Sequence, residues 1–202
     1  GTIMSQYVFI VDDDPAVRDS ISLWLSCHHY QTLCFEDAVQ FTQQFTADLK
    51  GCIIADIRMP GMDGLELQTH LNDIGCQLPL IFITGHGTVP MAVEAMRSGA
   101  LDYLRKPVNE QQLLHKVAEA FATDQANSEQ QLLTLAHQTQ LNSLTNREQQ
   151  VAALVVDGRA NKVIASDLGI SERTVEVHRA SVMVKLEVKT LAQLVKSYLK
   201  IT

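Results

Sequence analysis

Three short apolar runs, YVFIVD at 7–12, CIIADI at 52–57 and LPLIFIT at 78–84, limit what this chain can fold into more than any other feature. Each is rich in β-branched and aromatic residues and short, the pattern of strands covered on both faces. YQTLCF at 30–35 and LDYL at 101–104 are weaker runs of the same kind. Amphipathic stretches follow them at 17–27, 37–45, 65–74, 89–97 and 111–122. Parallel strands need long crossovers, so five such units predict an α/β fold, a doubly wound five-stranded parallel sheet with helices on both faces.

Such sheets place function at the carboxyl ends of their strands. Here the first run ends in Asp12, Asp13 and Asp14, the third in Asp56 and the fourth in Thr84, and the fifth is followed by Lys106 and Pro107. Carboxylates converging from separate strands repel; two unit charges about 4 Å apart cost about 4 kcal/mol at an effective dielectric near 20. A bound cation relieves this, and oxygen ligands without His or Cys favour Mg²⁺ over Zn²⁺. The Thr84 hydroxyl and Lys106 ammonium opposite the acids suit a phosphoryl group, which a carboxylate nucleophile would take up as an acyl phosphate. Asp14, before Pro15, reads as a helix cap, Asp63 as a turn residue, Tyr103 as a static core aromatic, and His86 as a solvated loop histidine.

VDDDP at 11–15, ADIRMPGMDG at 55–64, ITGHG at 83–87 and DYLRKP at 102–107 together resemble the receiver domain of two-component response regulators. The resemblance implies a flavodoxin-like fold with Asp56 as phosphoacceptor. It implies that Asp12, Asp13, Asp56 and the backbone carbonyl of Arg58 hold Mg²⁺, that Lys106 pairs with a phosphoryl oxygen, and that Thr84 swings its hydroxyl onto the phosphate. Tyr103 would be the aromatic that turns inward behind it, and Lys106-Pro107 a cis peptide.

Charge divides the chain. Residues 1–124 carry 7 Lys and Arg against 16 Asp and Glu, whereas residues 142–202 carry 9 against 6. An acidic module followed by a mildly basic one predicts cations or phosphate chemistry in front and a polyanion behind. Between them, TDQANSEQQLLTLAHQTQLNS at 123–143 has neither Gly nor Pro, and its partial leucine stripe predicts a helical connector. No run reaches the roughly 18 residues of a membrane helix and no signal peptide opens the chain, so a cytoplasmic protein without membrane contact is expected. Cys27, Cys34, Cys52 and Cys76 form no CxxC pair and read as buried, reduced thiols. Gly1 to Ile3 read as an expression scar.

The rear module predicts four helices, at 145–157, 161–168, 172–187 and 190–200. Thr145 and Glu148 form a capping box, Asp157-Gly158 ends the first helix, and Leu168 to Ser171 make a tight link into the third. Two short helices joined by a Gly-containing turn are helix-turn-helix geometry. At 100° per residue, Val175, Val182, Met183 and Leu186 face the core of that module, and Arg173, Glu176, Val177, Ala180 and Val184 lie opposite. Exposed Val and Ala within a polar face suit thymine methyls in a major groove. Arg179 falls nearer the core side and is expected to pair with Glu148.

LTNREQQVAALVVDGRANKVIASDLGISERTVEVHRASVMVKL at 144–186 resembles the LuxR-type DNA-binding domain, and the whole chain the FixJ-like response regulators. This implies that Glu176, Val177 and Ala180 look at base edges, with Asn161, Lys162, Thr174 and Lys185 near phosphates. Val163 stands where an acidic residue is usual. The expected organisation is a receiver at 5–124, a helical linker at 125–141 and an all-α helix-turn-helix domain at 142–202. The expected function is a phosphorylation-activated transcription regulator, not an enzyme beyond slow self-dephosphorylation. Its expected partners are a sensor histidine kinase, double-stranded DNA, RNA polymerase and a second copy of itself. A phosphorylated adaptor working through protein or RNA contacts is one alternative. An aspartyl-phosphate phosphatase is another, disfavoured by Arg58 where a second acid would stand.

Overall fold

The computed structural model describes residues 5–202, so the segment read as an expression scar lies outside it. Two compact units divide the described residues, one ending at Ser128 and the other running Glu129–Thr202.

The first unit contains β1 (Gln6–Val11), α1 (Pro15–Cys27), β2 (Gln31–Phe35), α2 (Ala38–Gln44), β3 (Lys50–Asp56), α3 (Gly64–Asp73), β4 (Leu80–Thr84), α4 (Val89–Arg97), β5 (Asp102–Arg105) and the start of α5 (Glu110–Ser143). The strands form the expected doubly wound parallel sheet, in the order β2-β1-β3-β4-β5. Side chains alternate across it. Phe9, Val11, Ile53, Ala55 and Phe82 pack with α2, α3 and α4, whereas Val8, Ile10, Ile54, Ile81 and Ile83 pack with α1 and α5. Double-sided burial is the reason these strands read as unbroken apolar runs. The connection order reverses between β1 and β3, which opens a crevice beyond their carboxyl ends, where Asp12 and Asp56 stand.

Local chemistry starts the helices. Asp14 accepts a hydrogen bond from the Ala16 N–H ahead of α1, with Pro15 in the first turn. Asp63, expected as a turn residue, is the N-cap of α3 and accepts from the Glu66 N–H. The glycine after it is required by close approach: a Cβ on Gly64 would stand 2.5 Å from the Asp56 carbonyl oxygen and 2.8 Å from Ile57 Cα. The expected helix at 111–122 and the connector beyond it are one helix, α5, because no Gly or Pro in 110–143 interrupts it.

The four cysteines are free, but Cys27 and Cys34 are exposed, contrary to the expected burial. Cys27 ends α1, and Cys34 lies on β2, an edge strand covered by a neighbour on one side alone.

In the second unit, α6 (Asn146–Val156), α7 (Asn161–Leu168), α8 (Glu172–Lys185) and α9 (Leu191–Ile201) surround Val151, Val155, Ile164, Val175, Val182 and Leu194. The capping box of Thr145 and Glu148 is complete. Gly169, at φ 66°, supplies the left-handed turn between α7 and α8, and Ser171 caps α8 through the Thr174 N–H. No helix among the described residues is long and apolar enough to cross a membrane.

Candidate functional site

β1 delivers Asp12 and Asp13 to the crevice and β3 delivers Asp56. The three carboxylates each offer an oxygen within 4.8 Å of the others. Lys106 enters from beyond β5, its Nζ 2.8 Å from Asp56 Oδ2 and 3.0 Å from Asp12 Oδ2. The contact with Asp56 is a hydrogen bond. The one with Asp12 lacks that geometry, so the fully buried Asp12 Oδ2 has no hydrogen-bond donor among the described residues. Asp12 Oδ1 accepts from the Asp14 N–H at 2.9 Å, and Asp56 Oδ1 from the Arg58 N–H at 3.1 Å. The Arg58 amide thus orients the carboxylate, while its carbonyl belongs to the same β3–α3 loop. Lys106-Pro107 is cis.

The electrostatics are those of a cation site. Burial pushes the Asp12 carboxyl up, more than the Asp14 N–H and the Lys106 ammonium pull it down. Burial pulls the Lys106 ammonium down, but its hydrogen bond to Asp56 and the charges of Asp56 and Asp12 outweigh that and hold it above its ordinary value. Three carboxylates against one ammonium leave two negative charges, which match a divalent ion. Oxygens around one octahedral Mg²⁺, at about 2.1 Å each, stand roughly 3 to 4 Å apart. The three acids, their oxygens within 4.8 Å of one another and one Asp12 oxygen orphaned, supply the hard donors that such an ion would draw into that shell.

Behind the acids, Thr84 is buried and its Oγ1 accepts from the His86 N–H at 3.2 Å, which leaves its hydroxyl proton free to donate. His86 itself is exposed. Tyr103 already lies inward, its buried hydroxyl without a partner among the described residues. Gly87 makes room for it: a Cβ there would stand 1.6 Å from the Tyr103 hydroxyl and 2.8 Å from the Thr84 methyl. Sequence reading missed Gly87, although a glycine three residues from the Thr84 hydroxyl, in GHG, was the available signal. It also missed Arg18, whose Nη1 donates to the Asp12 carbonyl at 2.6 Å.

In the second unit, α8 exposes Arg173, Glu176, Val177, Ala180 and Val184 along one face, with Val177 55% and Val184 76% exposed. Arg173 pairs with Glu176 at 3.5 Å, Lys162 is exposed, and Thr174 and Asn161 are half-buried. Val163, the departure from the usual acid, is 40% exposed. Two expectations are corrected. Arg179 does not pair with Glu148; its Nη1 donates to Asn161 Oδ1 at 2.9 Å. Lys185 takes Glu148 instead, at 2.6 Å, which commits its ammonium to the protein rather than to a phosphate. Ser181 and Lys185, four residues apart, share the face of α8 turned to Glu148, and Arg179 lies about 200° around the helix from Ser181.

Residues 8–118 match the response regulator receiver domain, and residues 142–198 match the bacterial regulatory proteins of the luxR family. The chain is 41% identical over 204 residues to the transcriptional regulatory protein FixJ of Rhizobium meliloti, covering 96% of this chain and 95% of that one. It is 39% identical over 191 residues to the response regulator protein TodT of Pseudomonas putida, covering 94% and 83%. Among solved structures, it is similar to the response regulator StyR, with a TM-score of 0.89 at 40% identity over 98% of this chain and 100% of that one.

Proposed function

The chain belongs to the response regulators that join a receiver domain to a luxR-family DNA-binding domain, a family of phosphorylation-activated transcription regulators, and from that premise we propose that Asp56 is its phosphoacceptor. The observation that carries this reading is the meeting of Asp12, Asp13, Asp56 and Lys106 at the β1/β3 reversal. Asp12, Asp13, Asp56 and the Arg58 carbonyl would hold Mg²⁺, which supplies positive charge to the phosphoryl oxygens. An Asp56 carboxylate oxygen attacks the phosphorus of a phosphohistidine; the new O–P bond forms as the P–N bond breaks, and the departing imidazole nitrogen takes up a proton. Lys106 then follows a phosphoryl oxygen, and the Thr84 hydroxyl donates to another. Tyr103, seated against Gly87 and the Thr84 methyl, locks that position.

The receiver role is assigned to 5–124, the helical linker to 125–141 and DNA reading to 142–202. A sensor histidine kinase in the cytoplasm is the donor. Phosphorylation reshapes the face of α4 and α5, where Val89, Val93 and Met96 of α4 are exposed, and two copies pair there. Pairing places two α8 helices on half-sites about 34 Å apart, which compensates for a mildly basic reader through effective concentration. RNA polymerase is the downstream partner, and slow self-dephosphorylation resets the switch. In DNA reading, Glu176, Val177, Ala180 and Val184 face base edges, with Arg173, Thr174, Asn161 and Lys162 on phosphates. The test is labelling by acetyl phosphate with Mg²⁺. Asp56→Asn is expected to abolish it, and undiminished labelling of that variant refutes the acceptor assignment.

A further inference from the structure

Arg18 occupies a position that helix electrostatics alone would not choose. It lies in the first turn of α1, whose N-terminal end carries partial positive charge and disfavours cations. It forms no ion pair with any carboxylate among the described residues. Its half-buried side chain instead folds back over the helix start, and Nη1 donates to the Asp12 main-chain carbonyl at 2.6 Å. Three bonds thereby hold the β1–α1 loop at Asp12: the Asp12 N–H to the Phe35 carbonyl at 3.2 Å, the Asp14 N–H to Asp12 Oδ1 at 2.9 Å, and the Arg18 guanidinium to the Asp12 carbonyl. Of these, the Arg18 bond is the one that fixes the peptide leading from Asp12 into the exposed Asp13.

We propose that Arg18 is a positioning residue of the acidic pocket, one that presets the Asp12 and Asp13 carboxylates toward Asp56 for a divalent cation. The inference rests on the cation-site reading given above. Two effects oppose each other: a nearby guanidinium repels the ion, and a fixed loop spares the site the ordering it would otherwise undergo on binding. The guanidinium bonds a main-chain carbonyl rather than pairing with a carboxylate, and its half-buried charge is partly screened by solvent, so the ordering effect dominates. A planar fork suits this reach, which a lysine ammonium reproduces in charge but not in geometry.

The experiment measures Mg²⁺ binding to the full chain by the fluorescence of Trp24, the single tryptophan, which lines a cavity of about 260 Å³ together with Lys106 and Pro107. Arg18→Ala is expected to raise the Mg²⁺ dissociation constant about tenfold, with the thermal midpoint without Mg²⁺ nearly unchanged and acetyl phosphate labelling restored at saturating Mg²⁺. Arg18→Lys is expected to fall between that variant and the wild type. Equal or tighter Mg²⁺ binding by Arg18→Ala overturns the proposal, because Arg18 would then act as a repelling charge alone. A weakened affinity accompanied by a large fall in the midpoint overturns it too, since the residue would be supporting the fold. Asp13→Asn separates the two readings: if it weakens binding while Arg18→Ala does not, Arg18 alone is misassigned, and if it also binds normally the cation site itself falls.

Discussion

Lys185 holds Glu148 across 37 residues of sequence, Nζ to Oε1 at 2.6 Å, and so ties the end of α8 to the capping box that starts α6. Glu148 is 3% exposed, and its carboxylate also accepts from the Thr145 N–H at 2.9 Å. The helix that presents Arg173 and Val177 is therefore aligned by a partly buried, charge-assisted bond at its far end.

That pair predicts a pH dependence. Burial raises the Glu148 carboxyl, but Lys185, Ser181 and Thr145 outweigh it and hold the group at about 2, against an ordinary value of 4.5. A depressed carboxyl contributes stability that is full above about pH 4.5 and is lost as pH falls toward 2. Its size is on the order of 3 kcal/mol. Glu148→Gln should destabilise α6 to α8 at pH 7 by an amount that shrinks between pH 4.5 and 2. Hydrogen exchange of the α6 and α8 amides, read as a difference between variant and wild type, checks it; a difference constant across that range excludes the pair as its source.

The Tyr103 hydroxyl gives a prediction of opposite sign. It is buried without a partner among the described residues, and removing an unsatisfied polar group relieves its desolvation cost. Tyr103→Phe should raise the stability of the first unit by about 1 kcal/mol, read from the urea midpoint. Gly87→Ala should instead drive the ring outward, because the colliding atoms are ends of side chains rather than backbone. The Tyr103 ring resonances in NMR spectra would report the displacement.

Asp124 was not singled out in the sequence, yet it is 4% exposed and accepts from the buried Gly51 N–H at 2.9 Å and from Gln6 Nε2 at 3.2 Å. It fastens α5 to the amino ends of β1 and β3. Asp124→Ala would orphan the Gly51 N–H and should cost about 1–3 kcal/mol in the denaturant midpoint. Asp124→Asn keeps an acceptor and should cost less. Equal losses from the two would place the effect in the charge rather than in the hydrogen bond.

The sheet and the acidic crevice were legible because both are written in short-range pattern. A strand buried on both faces must be a continuous apolar run, and the residue just past it must stand at the sheet's rim, so Asp12, Asp56 and Thr84 followed from where YVFIVD, CIIADI and LPLIFIT stop. Partner choice between distant elements has no such pattern. Helical phase put Arg179 near the core side of α8, but it could not say that α7 offers Asn161 there while α6 offers Glu148 to Lys185. The exposure of Cys34 depended on β2 lying at the sheet edge, a matter of strand order rather than of the run itself. Arg18 acts through a main-chain carbonyl, which leaves no mark on residue type.

The DNA-reading face yields the prediction that best separates folding from function. Val177 is 55% exposed on α8, so replacing it touches little of the core, and Val177→Ser should change stability by no more than about 0.5 kcal/mol. If its methyl groups meet a thymine methyl in the major groove, the same change costs about 1–2 kcal/mol of specific binding, a loss of roughly tenfold, and relaxes selection at one base pair. Arg173→Ala should act differently. Its 85% exposed side chain, freed from the 3.5 Å contact with Glu176, is placed for a phosphate, and its removal should weaken binding to all sequences alike and lower the salt dependence by about one counterion. Selection of bound fragments from random DNA, with titrations at several salt concentrations, distinguishes the two. If Val177→Ser left both affinity and base preference unchanged, the exposed valine would not be reading bases, and the groove-facing assignment of this side of α8 would have to be abandoned.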